Sequence, residues 1–304
     1  MSWRTYPAFA LWWLFSLLPL CVLYLFSDCL LFPLLYYVVR YRRPLVRRQL
    51  SESLPELTPK EHKEIERRYY HTLCDYIVEI IKMMSISPEE MRRRVQFVGV
   101  DSLQEMMMAK GKLTNLTCLG HFGNWEWMSS VAMQMTKDFD FAQVYHTLHS
   151  RVVDELFRHN RERFGGKCIT MKETLRHIIA TRQRGRHEII GLISDQCPKW
   201  EAMHQWCDFL HHETSFFIGA EAMGKRLGAV VTYLDVTRPR RGYYRAEVKL
   251  ITDQPEAYDD YQITELYARM LEQSIRRDPH LWLWTHARWK RTREEWEKRR
   301  RKRI

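Results

Sequence analysis

No two of the seven cysteines (Cys21, Cys29, Cys74, Cys118, Cys168, Cys197 and Cys207) form a CxxC pair or stand at a metal-ligand spacing. That excludes the common zinc-finger and thioredoxin-like readings. An odd, scattered set of thiols fits a reduced protein facing the cytosol. The adjacent His211 and His212 do not restore a metal site, because neighbouring side chains diverge and no partner spacing supports zinc. There is no internal repeat, no low-complexity linker and no nucleic-acid-binding motif. Acidic charge is short as well: 37 Asp and Glu against 48 Lys and Arg leave a formal net charge of +11. Such a surplus attracts anionic partners, namely phospholipid headgroups, phosphorylated substrates or an acidic carrier protein. At 304 residues and 45% apolar content, the chain is long enough to bury a core.

Charge is absent from residues 9–27, FALWWLFSLLPLCVLYLFS, which is about the length that crosses a hydrocarbon core of roughly 30 Å. Asp28 interrupts, CLLFPLLYYVV continues to Val39, and RYRRPLVRRQL then brings Arg40, Arg42, Arg43, Arg47 and Arg48. Only Arg4 precedes the apolar run, so the charge bias places the carboxyl side in the cytoplasm. A cleaved signal peptide fits poorly, since no small-residue cleavage pattern follows. The expectation is a single amino-terminal span near residues 9–27. Residues 29–39 then lie along the interface, with Asp28 at headgroup level and Tyr36 and Tyr37 in an aromatic belt. One tilted or broken helix through both parts is the alternative.

Beyond this, strand patterns alternate with helical ones. Residues 51–84 read as helical, with a Thr58-Pro59 start and Glu61 following. VQFVGV (95–100), LTNLTCLG, FAQVYHTL (141–148), KCITM, EIIGLISDQ, AVVTYLDV and YRAEVKLITD read as strands, with helical stretches between most of them. The pattern predicts an α/β fold with a mainly parallel central sheet flanked by helices. Residues 1–50 form a membrane anchor and basic flank, 51–290 one domain, and 291–304 a basic tail.

The residues with the most chemistry stand in GHFGNWE, 120–126. A strand ends at Gly120, a turn follows, and Asn124 is placed to cap the next helix. Sites in α/β folds gather at the carboxyl ends of strands. Folding Glu126 back onto His121 would fix the tautomer and leave the other nitrogen as a base, suited to taking a proton from a hydroxyl that attacks an acyl group. The plainer reading is a turn-capping histidine and a carboxylate favoured by a helix start. Arg161 and Arg163 are either a phosphate- or oxyanion-holding pair or a solvated helix end. Asp195 shapes a site or caps a turn, and Thr214 binds substrate or caps a helix.

GHFGNWE matches the His-x4-Asp/Glu motif of the lysophospholipid acyltransferase superfamily. Most of the chain resembles the bacterial lipid A biosynthesis late acyltransferases: the apolar start followed by arginines, VYHTLHSRVVDELFRHNRERFG, GLISDQ, FLHHETSFFIGAEAMGKRLGAVV and PHLWLWTHARWK. The resemblance implies a transferase at the cytoplasmic face of the inner membrane. Its donor would be a thioester of acyl carrier protein or coenzyme A, with no other cofactor and no metal, and its acceptor a lipid A precursor among membrane lipids. It implies His121 as general base and Glu126 as the group that orients it. Asn124, Tyr145, Arg161, Arg163, Asp195, Gln196 and Thr214 form the substrate-binding set. The family usually has Arg after Tyr145, where His146 stands, and Phe-Phe-Gly where CDFLHHET stands. These departures put the acceptor in doubt more than the reaction. A lysophospholipid or aminolipid acyltransferase, or a non-catalytic lipid-binding protein, are the alternatives.

Overall fold

Thr114–Leu119 is buried at every position, as a strand covered on both faces must be. It forms the middle of the sheet in the computed structural model, which describes residues 6–301. The elements in order are α1 (Tyr6–Ser16), α2 (Leu20–Phe26), α3 (Arg43–Ser53), α4 (Pro59–Met83), α5 (Pro88–Arg94), β1 (Val95–Val98), α6 (Val100–Ala109), β2 (Thr114–Leu119), β3 (Phe139–Tyr145), α7 (Arg151–Glu162), β4 (Lys167–Thr170), α8 (Thr174–Gln183), β5 (His187–Ile193), β6 (Cys207–Phe209), β7 (His212–Thr214), α9 (Gly219–Leu227), β8 (Val230–Arg240), β9 (Tyr243–Thr252), α10 (Gln262–Arg277) and α11 (Arg293–Arg301).

Among the described residues the main sheet has seven strands in the order β1-β9-β8-β2-β5-β3-β4. β8, β2, β5, β3 and β4 run parallel, so the α/β class and the mainly parallel sheet are as the alternation predicts. The far edge is reversed. β8 and β9 are joined by Arg241 and Gly242 alone and therefore pair antiparallel, because a crossover to a parallel partner needs a dozen residues or more.

Other elements differ locally. The 141–148 strand begins at Phe139 and ends at Tyr145, WMSSVAMQM forms a 3-10 turn over Trp127–Gln134, and CDFLHHET forms the small β6–β7 hairpin. α4 starts where the sequence says, on a capping box in which Thr58 N–H donates to Glu61 Oε2 at 2.7 Å.

The amino terminus is a correction. Residues 9–27 are not one helix. α1 ends at Ser16, and α2 starts after Pro19, which has no N–H to continue the earlier helix. Lys82 Nζ donates to the Ser16 and Leu18 carbonyls at this break, at 2.8 and 3.0 Å. Among the described residues, the stretch long and apolar enough to cross a membrane is Leu20–Val38. It continues through two wide π turns, Ser27–Leu31 and Leu34–Val38, on either side of Pro33, as a helix does when proline removes one of its bonds. Arg4, used above for orientation, lies outside the described residues.

Candidate active site

The β2–β5 register sets the site. Leu119 lies opposite Ile193, so the chain beyond each strand, Gly120-His121 and Ser194-Asp195, emerges side by side at the carboxyl edge. A Cβ at Gly120 would fall 2.8 Å from Leu271 Cδ1 and 3.3 Å from Asp195 Oδ2, so a larger residue there would have to displace both side chains. His121 then donates its backbone N–H to Asp195 Oδ2 at 2.8 Å, and its Nδ1 lies 2.6 Å from Asp195 Oδ1. Trp282 Nε1 donates to the same Oδ2 at 2.8 Å. Asp195 is 2% exposed. Burial alone raises its pKa, but the charge and hydrogen bonds of His121 and the Trp282 N–H outweigh it and hold the carboxyl at about 2.

An ionised carboxylate only accepts, so Nδ1 carries the proton and Nε2 is the basic nitrogen. Nε2 lies 3.1 Å from Gln196 Nε2, whose amide N–H it accepts. The Trp125 ring stands edge-on to the imidazole at 5.0 Å. The Trp282–Trp284 segment straps the site, with Leu283 N–H donating to the His121 carbonyl at 3.1 Å.

Glu126 does not hold the ring. Arg161 reaches it from α7, donating from Nε to Oε2 at 2.7 Å and from Nη2 to Oε1 at 2.6 Å. The planar guanidinium matches a carboxylate with two parallel bonds, and Asp195 already occupies Nδ1. Burial disfavours the Arg161 charge, yet Glu126 more than compensates and raises its pKa.

The remaining predicted residues divide. Tyr145, Arg161 and Gln196 line the same cavity as His121 and Glu126. Asn124 is buried behind it; its Oδ1 accepts from Trp127 N–H at 3.1 Å, as the capping reading requires, and its Nδ2 donates to Glu79 Oε2 at 2.7 Å. Arg163 leaves Arg161 and donates to the Met83 carbonyl at 2.6 Å, because residues two apart at a helix end do not share a face. Thr214 lies on β7, donating to the His212 carbonyl at 2.9 Å and accepting from Trp289 Nε1 at 2.8 Å, outside the cavity lining. Sequence reasoning missed Trp282 as a donor to Asp195. An aromatic run at the end of a chain signals packing, and only the fold brings this indole onto a carboxylate.

The cavity has a volume of about 590 Å³. Its wall shows three rungs across β2, β5 and β3. Leu119 and Ile193 form the rim, Thr117, Gly191 and Gln143 the middle; Ile189 and Phe141 lie below, and Tyr145 also lines the cavity. Val100, Leu103, Val131 and Val248 also line it. Glu126, Arg161, Ser194 and Gln196 line it together with His121, and although Thr117, Ser129, Gln143 and Thr174 also contribute polar groups, most of the lining is apolar, a shape and chemistry suited to a hydrocarbon chain. Among the described residues, no group of three His, Cys, Asp or Glu side chains is placed to hold a metal ion.

A family model described as bacterial lipid A biosynthesis acyltransferase matches residues 1–291. No curated protein gives a significant match to the chain.

Proposed function

The chain belongs to the bacterial lipid A biosynthesis acyltransferase family and is an acyltransferase, and on that premise we propose that it moves a fatty acyl chain from a thioester of acyl carrier protein or coenzyme A to a hydroxyl of a lipid A precursor, at the cytoplasmic face of the inner membrane. The observation that carries this reading is the His121–Asp195 bond, which leaves Nε2 facing an apolar cavity.

In this reading the acceptor hydroxyl takes the place of the Gln196 amide at Nε2. His121 removes its proton while the oxygen attacks the thioester carbonyl carbon. Asp195 stabilises the imidazolium that forms and keeps the ring in one tautomer. Gln196 and Arg161 supply neutral and charged N–H donors on the cavity wall for the tetrahedral oxyanion. As the oxyanion collapses, the C–S bond breaks and the imidazolium returns its proton to the departing thiolate. The fatty chain occupies the apolar cavity, and Glu126 acts through Arg161 rather than through the ring. The surplus of 48 basic over 37 acidic residues favours an acidic carrier protein and anionic lipids.

Incubating purified protein with acyl carrier protein and coenzyme A thioesters, and with a panel of lipid acceptors, tests the reading by mass spectrometry of the products. A lipid A precursor heavier by one acyl chain is the expected result. Transfer only to a lysophospholipid or aminolipid would replace the acceptor; no transfer from either thioester would remove the reading. His146, which lines the cavity where the family usually has arginine, is the observation that makes the acceptor panel worth running.

A further inference from the structure

The one stretch long enough to cross a membrane among the described residues, Leu20–Val38, does not stand free of the domain. One face is laid along α4 for its whole length. Tyr24 Oη donates to Glu79 Oε1 at 2.8 Å and Ser27 Oγ to Asp75 Oδ1 at 3.0 Å. Farther along, Phe32 stacks on His71 with ring centroids 3.7 Å apart, and Tyr36 meets Tyr70 at 5.3 Å. Asp28, an apparent interruption in the sequence, is gripped by Arg241 of the β8–β9 turn, through Nη1 at 2.7 Å and Nη2 at 2.8 Å. α4 is itself part of the main core through Tyr69, Cys74, Val78 and Met83. It also carries Glu66, Arg67, His71 and Asp75 beside the apolar helix. A crossing helix with these neighbours would draw a charged helix and an edge of the sheet into hydrocarbon, where charges are strongly disfavoured.

The opposite face tells the other half. Val22, Leu25, Phe26, Leu30, Leu34 and Val38 are exposed, and no charge stands among them. α1 extends the same kind of surface with Leu11, Trp13, Leu14 and Phe15. Exposed Arg40, Arg42 and Arg48 follow directly, in a stretch with no acidic residue from Arg40 to Arg48. An apolar face bordered by cations is complementary to a bilayer with anionic headgroups and fits an interfacial anchor.

We infer that α1 and the Leu20–Val38 helix form a seat in the plane of one membrane face, apolar side down, with the whole chain on that side of the bilayer. This rests on the membrane attachment proposed above and replaces the single span with a different geometry. The seat also reaches the site. Phe9 stands edge-on to His159 at 5.2 Å and Trp12 to Phe157 at 5.6 Å, both on α7. The Arg161 guanidinium that holds Glu126 lies 5.3 Å from the Phe157 ring. A lipid acceptor then enters the cavity from the membrane plane.

The test uses the full chain carrying a protease-cleavable tag at each end, reconstituted into sealed vesicles of phosphatidylethanolamine and phosphatidylglycerol, with protease added outside. An in-plane seat predicts that each molecule loses both tags or keeps both, whichever way it was inserted. Molecules that lose one tag and keep the other would show a span and overturn the inference while leaving membrane attachment intact. A chain that floats free of the vesicles would overturn the attachment itself. A chain that leaves them as a lipid-free dimer would assign the apolar face to a second copy, which also overturns the inference.

Discussion

β5 has a carboxylate near each end, and each is bonded to a histidine. Near its start, Glu188 Oε1 lies 2.5 Å from His177 Nε2; just past its finish, Asp195 Oδ1 lies 2.6 Å from His121 Nδ1. Both acids are buried, yet their pKa values move in opposite directions. Burial pushes Glu188 up, and the contact with His177 does not offset it. Burial also disfavours the Asp195 anion, but His121 and Trp282 bring it to about 2. The difference lies in the donors. Asp195 receives three N–H groups, whereas Glu188 Oε2 is buried with no partner. A half-satisfied buried carboxylate favours its neutral form; a fully satisfied one stays charged. The pair at the carboxyl end of the strand opens on the cavity lined by His121. A histidine–carboxylate contact is therefore no signature in itself, and the strand end and the donor count are what distinguish the two.

The largest effect should come from Asp195. Asp195→Asn leaves the shape but removes the anion, and turnover should fall by about 100- to 10,000-fold in a steady-state transfer assay. Glu188→Gln in the same assay should leave turnover near wild type; an equal loss from both would erase the contrast. Next is the ion pair on the cavity wall. Arg161→Ala strands the buried Glu126 charge and should cost about 3–5 kcal/mol of stability by denaturant unfolding. Adding Glu126→Leu to Arg161→Met should recover most of that loss.

Gly191, midway along β5, sharpens the comparison within one strand. A Cβ there meets nothing closer than Phe141 Cζ at 3.8 Å, so Gly191→Val should fold and narrow the cavity. Its preference should shift to shorter thioesters, by a factor of about 10 to 200 in kcat/KM between fitting and overlong donors, measured over a series of chain lengths.

The smallest effect is in the pH dependence of stability. Asp195 is depressed in the fold, so its contribution is present above the ordinary value of 3.8 and is lost as pH falls toward about 2. Glu188 is raised, so its contribution is present below 4.5 and is lost as pH rises through its folded value. Unfolding between pH 2 and 7 should show Asp195→Asn and Glu188→Gln removing slopes of opposite sign.

Local features were legible in the sequence. The Thr58-Pro59-x-Glu61 start of α4, the strand before Gly120 and the capping Asn124 all depend on neighbours a few residues away. The partner of His121 was not legible, because it depends on β5 lying beside β2 with Leu119 opposite Ile193, a pairing across more than 70 residues. Proximity in sequence points to Glu126, and the turn at Gly123, with φ of 60°, carries that side chain to Arg161 instead. The amino terminus misleads for a similar reason. Absence of charge marks 9–27 as one helix, but Pro19 breaks it, and the charge that ends the run, Asp28, is paired with Arg241 from the far side of the sequence.

The most direct test is the nitrogen and proton NMR spectrum of the histidine rings, with the His121 signals identified by their loss in His121→Gln. A downfield Nδ1–H on His121 should be seen in the wild type, persist in Glu126→Gln and vanish or shift strongly in Asp195→Asn. Loss of that proton in Glu126→Gln and its survival in Asp195→Asn would make Glu126 the residue that orients the base, and would contradict the assignment of that role to Asp195.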